Sequence, residues 1–269
     1  MKSIQNQFSL KFAKIRALLF TPKFPKLHQI EGLEIQSLGS GYGRKFFCLI
    51  FGERPILVSG GVVEDISFDV ELISNYGATV YLFDPTPRAI LHIDQVRRRF
   101  GTSRNCSYSE TGRQPANSYD LVNINNKNLI LNEFALLESS KLVKFYEPPI
   151  SDHVSYSVQN IQNHFKPKGP YIEVRALGPQ EVIEITGTDR IDILKLDVEG
   201  SEYLYLSSSF KKGIFPDQVL IEIDELHFPS FRSRRIAKNI FKLFSAHDYT
   251  LVYIDGYNFT YLKNNSVYM

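Results

Sequence analysis

The sequence predicts an α/β fold in which a mostly parallel sheet carries helices on both faces and ends in an antiparallel C-terminal hairpin strand. Short apolar runs that suit strands covered on both faces recur along the chain, and segments with helical periodicity separate them. Strands that alternate with helices in this way form parallel sheets. The hairpin is predicted because Asp255 and Gly256 divide two strand-like runs near the C-terminus.

The composition is that of an ordinary globular protein. The chain has 269 residues, of which 43% are hydrophobic and 22% charged, and its net charge is +2. This balance carries no nucleic-acid footprint, so we expect no nucleic-acid partner. We assign residues 1–50 to an N-terminal helix and lead-in segment, and residues 51–269 to the main domain. The helix, expected within residues 1–23, is amphipathic, and packing on its own domain is favoured over a place on a membrane.

The cysteines and the hydropathy pattern predict a cytoplasmic protein. Cys48 and Cys106 show no CxxC or Cys/His pairing, which favours a reducing compartment over a disulfide framework or a zinc site. No apolar run is long enough to span a bilayer, and the N-terminus lacks the unbroken apolar core of a signal peptide. The basic runs at 97–99 and 232–235 are interpreted as solvated helix faces, with an anion-binding patch as the alternative.

The individual elements follow from local signals. The expected strands cover residues 55–62, 79–83, 129–136, 141–146, 171–174, 191–196, 219–223, 250–254 and 259–262. The expected helices run from Asp65 or Ser67 to Gly77, over 88–100, 180–184 and 201–210, and onward from Ser230. Here Asp65 or Ser67 and Ser230 act as N-caps, and Gly77 ends its helix. Residues 151–170 are polar and irregular, as expected for a loop or lid over a site.

Gly60 and Gly61 lie between the first long strand and its helix. Open α/β sheets bind ligands at the carboxyl ends of their strands, and glycine lets a ligand approach the backbone there. The structural alternative is a plain tight turn. Asp84 ends the next strand, at the position where an acid accepts hydrogen bonds from ribose hydroxyls. Its structural alternative is a cap on the turn at Pro85, and the pattern does not separate NAD from S-adenosylmethionine.

Residues 194–202 read LKLDVEGSE, and Asp197 within them ends the fourth main strand. This segment resembles the motif of FkbM-family methyltransferases, LK(I/L)DVEGxE. Residues 64–69 and 83–87 are similar to a subgroup of the same family. The resemblance extends over most of the chain, from about residue 57 to 262.

The resemblance implies a class I methyltransferase fold with a Rossmann-like sheet, with which the C-terminal hairpin agrees. It implies transfer of a methyl group from S-adenosylmethionine, typically to a hydroxyl oxygen of a small molecule, sugar or glycan. The cofactor-binding residues that we select are Gly60, Gly61, Glu64, Asp84, Pro85, Phe134 and Ala135.

One position departs from the subgroup, which has glycine where this chain has Val63. A β-branched residue restricts the backbone and adds bulk near the ligand. A catalytically degenerate binding module therefore stays open as an alternative. An NAD-dependent oxidoreductase is disfavoured, because the chain lacks GxGxxG and ends in a hairpin.

Methyl transfer to a hydroxyl needs a group that removes the proton. The candidates at the ends of the fourth and fifth strands are Asp197, Glu222, Asp224, Glu225 and His227, of which we select Asp197, Glu222 and His227 as catalytic. Glu222 and Glu225 are equally good counterparts of the family's acid, and a helix cap is the alternative for Asp197. Carboxylates at these positions suit a divalent cation, but the spacing is only suggestive and we expect no metal. The acceptor and the oligomeric state are not predicted.

Overall fold

The computed structural model describes residues 16–148, 156–163, 165–166, 168–188 and 190–264, and it confirms a mixed α/β protein with a large, mostly parallel sheet. The strands are β1 (Ile35–Leu38), β2 (Lys45–Cys48), β3 (Ile56–Gly60), β4 (Thr79–Phe83), β5 (Leu129–Asn132), β6 (Ala135–Leu136), β7 (Lys141–Tyr146), β8 (Tyr171–Leu177), β9 (Ile193–Leu196), β10 (Gln218–Glu222), β11 (Tyr249–Asp255) and β12 (Asn258–Lys263). The α-helices are α1 (Ser67–Tyr76), α2 (Pro87–Arg97), α3 (Pro179–Thr186), α4 (Glu202–Lys211) and α5 (Phe231–Ala246). Short 3-10 helices cover Ala116–Ser118, Ile161–Asn163 and Asp224–Leu226.

Seven strands form the large sheet in the order β11-β12-β10-β9-β3-β4-β5. The neighbouring pairs from β10 to β5 are parallel, whereas β12 runs antiparallel to both β10 and β11. After β3 the chain adds β4 on one side of β3, and β9 later pairs with its other side. The direction in which strands are added to the sheet therefore reverses at β3. Open α/β sheets bind ligands at such a reversal, beyond the carboxyl ends of the strands.

Alternate residues of the central strands face two hydrophobic cores. On β3, Leu57 packs with α1 and α2, and the next residue, Val58, packs with α4 and α5. Successive side chains of a strand point to opposite faces of its sheet. Both residues are fully buried, and burial of such a side chain stabilises the fold by about 1.5–3 kcal/mol. Helices therefore cover both faces of the sheet.

The helix ends agree in part with the predicted caps. Ser230 caps α5 by accepting an N–H of the first turn, and Gly77 ends α1 with a φ of 66°. The predicted N-cap of α1 is wrong, because Ile66 occupies that position. Asp65 instead accepts the Ser67 N–H at 2.9 Å, so the carboxylate satisfies a helix donor from one residue further out.

The predicted strand at 129–136 is split in two. Its first half, β5, pairs with β4, and its second half, β6, belongs to a separate sheet ordered β6-β8-β7. The break lies at Phe134, whose N–H donates to the Asn132 carbonyl at 2.8 Å in a tight turn. β7, expected as an added hairpin strand, pairs antiparallel with β8. In the described part of the predicted loop, a single bridge joins Ser157 to Tyr146 of β7.

The lead-in segment packs on the large sheet through the β1–β2 hairpin. The Cys48 N–H donates to Gln218 Oε1 at 2.8 Å, and Gln218 Nε2 donates back to the Cys48 carbonyl at 2.9 Å. Residues 16–20 are helical, and the first 15 residues of the predicted amphipathic helix lie outside the described ranges. Within those ranges, no helix combines the length and apolar character needed to cross a membrane.

Candidate active site

A cleft opens beyond the carboxyl ends of β3, β4 and β9. Apolar side chains of the small sheet and polar groups of the strand ends share its wall. The residues selected from the sequence that line it are Gly61, Asp84, Pro85, Ala135 and Asp197. The ends of the three strands therefore meet at one crevice.

Gly61 lies where the chain leaving β3 passes the end of β9. Its φ is +74°, and a Cβ added there would lie 1.7 Å from the Asp197 carbonyl oxygen. A Cβ on Gly60 would lie 2.6 Å from Cδ1 of Leu136, which would have to move. The close packing of the strand ends thus requires glycine at position 61, whatever ligand binds. Gly60 is not among the residues that line the cleft.

The Asp84 carboxylate accepts hydrogen bonds on both of its oxygens. Oδ2 accepts the N–H groups of Val62 and Val63 at 3.1 and 3.0 Å. Oδ1 accepts the N–H and the hydroxyl of Thr86 at 2.9 and 2.6 Å. Four such bonds use the acceptor capacity of a carboxylate. Asp84 therefore ties the glycine turn to the start of α2, and a ribose hydroxyl would have to replace one of these donors.

Val63 adopts a φ of 43°, in the left-handed region. A β-branched side chain is strained there, whereas glycine is not. The turn keeps this conformation while the Val63 N–H donates to Asp84. The valine side chain also lines the cleft. Val63 thus adds both backbone strain and bulk at the position where the subgroup of similar sequences has glycine.

Four further residues selected from the sequence, Glu64, Phe134, Glu222 and His227, are not among those that line the cleft. Glu64 forms ion pairs with Arg88 at 2.7 Å and with Arg113 at 3.5 Å. Phe134 packs against the core shared by α4 and α5. Neither side chain lines the cleft. Glu64 instead links the glycine turn to α2 through Arg88.

Lys45 links the residues at the ends of β9, β10 and β12. Its Nζ lies 3.4 Å from Asp197 Oδ2 and 3.2 Å from Glu222 Oε2, and it donates to Asn258 Oδ1 at 2.5 Å. Glu222 Oε1 lies 3.1 Å from His227 Nε2. The catalytic candidates Asp197, Glu222 and His227 thus belong to one chain of contacts. Lys45 lies between Asp197 and Glu222, and His227 contacts Glu222.

These contacts set the protonation of the site. Burial acts to raise the pKa of Glu222, but the hydrogen bond to His227 and the Lys45 ammonium together lower that pKa to about 2. The same hydrogen bond raises the pKa of His227. Burial and the Glu222 charge raise the pKa of Asp197 against the opposing effect of Lys45. Glu222 is therefore an anion at neutral pH, and its charge favours the protonated form of His227.

Three further carboxyl groups of this region are buried. Asp224, Glu225 and Glu202 are 5%, 0% and 0% exposed. Glu202 Oε1 accepts two N–H groups of the turn before α4. Burial raises the pKa of all three carboxyls, for Glu225 to about 7. Of the two glutamates that the sequence leaves open, Glu222 contacts His227, while Glu225 is enclosed in the interior.

Side chains of this region could also coordinate a cation. Two groups place ligand atoms within 4.8 Å of one another: Glu222, Asp224 and His227, and Asp197, Glu199 and Asp224. Carboxylate and imidazole ligands suit several divalent ions. Between Asp197 and Glu222, however, the Lys45 ammonium already supplies positive charge.

Lys45, Asn258 and Glu202 are site residues that the sequence analysis missed. Lys45 lies 152 positions before Asp197, in the segment that we separated from the main domain. A lysine in a short strand is exposed in most proteins, so nothing in the sequence indicates its burial. Glu202 is part of LKLDVEGSE, and the motif was therefore a usable signal for it.

Comparison with known proteins gives one family match. The model of the family described as Methyltransferase FkbM domain matches residues 55–261, which include β3 to β12 almost entirely. No curated protein and no solved structure matches significantly.

Proposed function

Because this chain belongs to the FkbM methyltransferase family, we propose that it transfers the methyl group of S-adenosylmethionine to a hydroxyl oxygen of a small molecule, sugar or glycan. The family match supports methyltransferase activity itself. One observation carries the finer proposal: the ends of β3, β4 and β9 meet around one cleft inside the matched segment. The match also favours this reaction over hydride transfer with NAD.

The sheet supports a class I methyltransferase fold of the Rossmann-like type. Among the described strands of the seven-stranded sheet, β12 alone runs against the others and forms the C-terminal hairpin with β11. The reversal of strand order lies between β3 and β9, where the Asp197 N–H donates to the Gly60 carbonyl at 3.1 Å. The cleft thus lies at the position where this type of sheet binds ligands.

The lining of the cleft suits an adenosyl cofactor in polarity and in charge. Gly61 leaves backbone exposed to it, and Ala135 and Leu136 give it an apolar wall. Asp197 and Glu199 add negative charge, which favours a ligand with a positively charged sulfur. We propose that Gly61, Asp84 and Ala135 border the cofactor. Asp84 holds the glycine turn through its hydrogen bonds. It accepts a ribose hydroxyl only if that hydroxyl replaces one of the backbone N–H donors of the turn.

When bound, S-adenosylmethionine supplies a methyl group that the positive sulfur already activates. The residues of the chain align the acceptor oxygen and take its proton. His227 is the proposed base. Because the Glu222 carboxylate accepts the hydrogen bond from Nε2, the lone pair of Nδ1 is left to receive that proton. The Tyr257 ring, edge-on at 4.8 Å, holds the imidazole plane.

Lys45 and Asp197 act through charge. Lys45 keeps Glu222 ionised, and the Glu222 carboxylate in turn stabilises the protonated imidazole that forms at His227. Asp197 lines the cleft, where burial and the Glu222 charge raise its pKa against the opposing effect of the Lys45 ammonium. We therefore regard Lys45 and Glu222 as positioning residues, and His227 as the group that contacts the acceptor.

The proposal extends to the acceptor and the compartment. A net charge of +2 gives no reason to expect a nucleic-acid acceptor, and we propose a small molecule or glycan. Both cysteines are free, one buried and one half-buried, which supports a reducing compartment such as the cytoplasm.

A catalytically degenerate binding module is the second candidate, and Val63 is the observation that favours it. A valine held at a φ of 43° narrows the cleft and strains the turn on which the cofactor would lie. Such a protein would bind the cofactor or its product without turnover.

Calorimetric titration of the full chain with S-adenosylhomocysteine, and separately with NADH, tests the proposal. We expect binding of S-adenosylhomocysteine in the micromolar range and no heat with NADH. Binding of NADH alone would overturn it. Incorporation of radiolabelled methyl from S-adenosylmethionine into a cell extract then separates the two candidates, because a degenerate module would bind the product and leave incorporation at background.

A further inference from the structure

The outer side of α5 and the segment around residues 16–20 carry charge of one sign. Exposed cations follow α5 at Arg232, Arg235, Lys238 and Lys242, and the helix contains no acidic residue. Residues 16–30 carry the exposed cations Arg16, Lys23 and Lys26 and contain no aspartate or glutamate. Clusters of cations without acids attract anionic surfaces.

Large apolar side chains stand among these cations. Leu18 is 84% exposed, Leu19 58% and Phe231 80%. The ring of Phe20 packs edge-on against Phe231, with centroids 4.7 Å apart. Single exposed apolar side chains are common, but a cluster of them marks an interaction surface. We call the exposed side chains of residues 18, 19, 231, 235, 238 and 242 the α5 face.

Hydrogen bonds join the two segments into one surface. Arg16 donates to the Pro229 carbonyl at 2.9 Å. Arg234 donates to the carbonyls of Leu19 and Thr21 at 2.8 and 3.2 Å. Backbone carbonyls accept these bonds without neutralising the guanidinium charge. The apolar side chains and the cations are thus held together by the fold.

The start of α5 is linked to the cleft wall. Arg232, at the start of the helix, donates to Gln159 Oε1 at 3.0 Å. Gln159 Nε2 donates to the Gly200 carbonyl at 2.6 Å, and the neighbours of Gly200, Glu199 and Ser201, line the cleft.

We propose that the α5 face docks the protein on an anionic phospholipid bilayer. A bilayer offers phosphate charge to the lysines and arginines, and an apolar layer to the leucines and Phe231. A nucleic acid would satisfy the cations alone, and a second copy of the chain would bring like charges together. Docking of this kind needs no membrane-spanning helix. The proposal goes beyond the proposed reaction and stands without it.

Vesicle flotation of the full chain tests this docking. One set of vesicles is pure phosphatidylcholine, and the other contains about a third phosphatidylglycerol, both at roughly 0.15 M salt. We expect partitioning onto the anionic vesicles to exceed partitioning onto the neutral ones at least tenfold, and to weaken as salt rises. Absence of binding to the anionic vesicles, or equal binding to both sets, would overturn the proposal.

A charge variant and a matched control locate the effect. The triple variant Arg235→Gln, Lys238→Gln, Lys242→Gln should bind anionic vesicles roughly a hundredfold less, because each cation near such a surface contributes about fivefold. The control Arg98→Gln, Arg104→Gln, Lys127→Gln removes the same charge from exposed positions around α2 and β5, at the other edge of the sheet. Equal weakening in the control would assign the binding to net charge and refute the α5 face.

An apolar variant separates a bilayer from other polyanions. The pair Leu18→Ser and Phe231→Ser should weaken vesicle binding at least tenfold, while Leu91→Ser and Leu142→Ser, which alter side chains 58% and 67% exposed elsewhere, should leave it unchanged. Full competition by a DNA duplex, with no loss in the apolar pair, would identify a general polyanion site and contradict docking on lipid.

Discussion

At the amino ends of β9 and β10, Arg190 lies between Asp192 and Asp217, whereas at the carboxyl ends of the same strands Lys45 lies between Asp197 and Glu222. Each cation bridges two carboxylates at 3.0–3.4 Å. The Arg190 side chain is 52% exposed and the Lys45 side chain 9%. The same arrangement is therefore solvated at one end of the sheet and enclosed at the other.

The two ends also differ in what surrounds the bridge. At the carboxyl end, Glu199 and Asp224 place carboxyl groups beside Asp197. Buried charges without full compensation cost stability, so a fold keeps them where they serve a site. The two ends of the sheet therefore differ in charge balance rather than in the presence of charged residues, and the unbalanced end is the one where we propose the site.

Removal of the proposed base should have the largest effect. His227→Ala should lower turnover about 100- to 10,000-fold, the usual contribution of a general base, and leave affinity for S-adenosylhomocysteine unchanged. Methyl incorporation from radiolabelled cofactor and calorimetry measure the two quantities. His28→Ala, at an exposed histidine, is the control and should keep full activity. Undiminished turnover in His227→Ala would remove this residue from the mechanism.

Removal of each bridging cation tests the comparison directly. Lys45→Met leaves Asp197 and Glu222 uncompensated in the interior and should lower the free energy of unfolding by roughly 3–5 kcal/mol. Arg190→Met, at the solvated bridge, should lower it by less than about 1 kcal/mol. Denaturant titration of both variants measures the difference. Equal losses would show that the two ends of the sheet are energetically alike.

The buried carboxyls predict a pH dependence of stability. Burial raises the pKa of Glu225 from 4.5 to about 7, so the folded chain holds this proton after the unfolded chain has lost it. The unfolding free energy should therefore fall as pH rises from about 4.5 to 7, by up to about 3 kcal/mol. Glu225→Gln should remove this fall, so that the variant gains stability relative to the parent at pH 8 but not below pH 4.5. Denaturant titrations across this range should show no such gain for Glu184→Gln, an exposed carboxylate.

The strained turn should give the smallest effect. Val63→Gly relieves a positive φ and should raise the unfolding free energy by about 1 kcal/mol. Val62→Gly, one position earlier, removes a side chain that is 3% exposed and should instead destabilise the protein. Thermal unfolding of the two variants measures both shifts. A loss of stability in Val63→Gly would show that the valine is accommodated without strain.

The sequence was sufficient for the large sheet, because its strands are continuous apolar runs that end in recognisable turns. The strands between residues 55 and 262 were predicted near their observed positions along the chain, and LKLDVEGSE marked the end of β9. The split of the strand at 129–136 was missed, because Asn132 and Glu133 interrupt the apolar residues only briefly before Phe134 resumes them. Sequence periodicity does not report a change of sheet.

The site was harder to predict than the fold, because its chemistry depends on contacts distant in the chain. Asp84 has the residue type of a ribose-binding acid, but its four hydrogen bonds to the turns on either side become evident only in three dimensions. Lys45 reaches Glu222 across 177 positions. Residue type and local spacing predict a site at the carboxyl ends of the strands, and packing determines which charges meet there.

The most direct measurement compares two buried carboxylates at opposite ends of the sheet. Asp84 and Asp192 each accept a backbone N–H, at 3.0 Å from Val63 and at 2.8 Å from Ile56, but only Asp84 lies at the cleft. Calorimetry with S-adenosylhomocysteine should show binding weakened by roughly 1–3 kcal/mol in Asp84→Asn and unchanged in Asp192→Asn. Equal affinities in the parent and both variants would place the cofactor elsewhere and contradict a site formed by the ends of β3, β4 and β9.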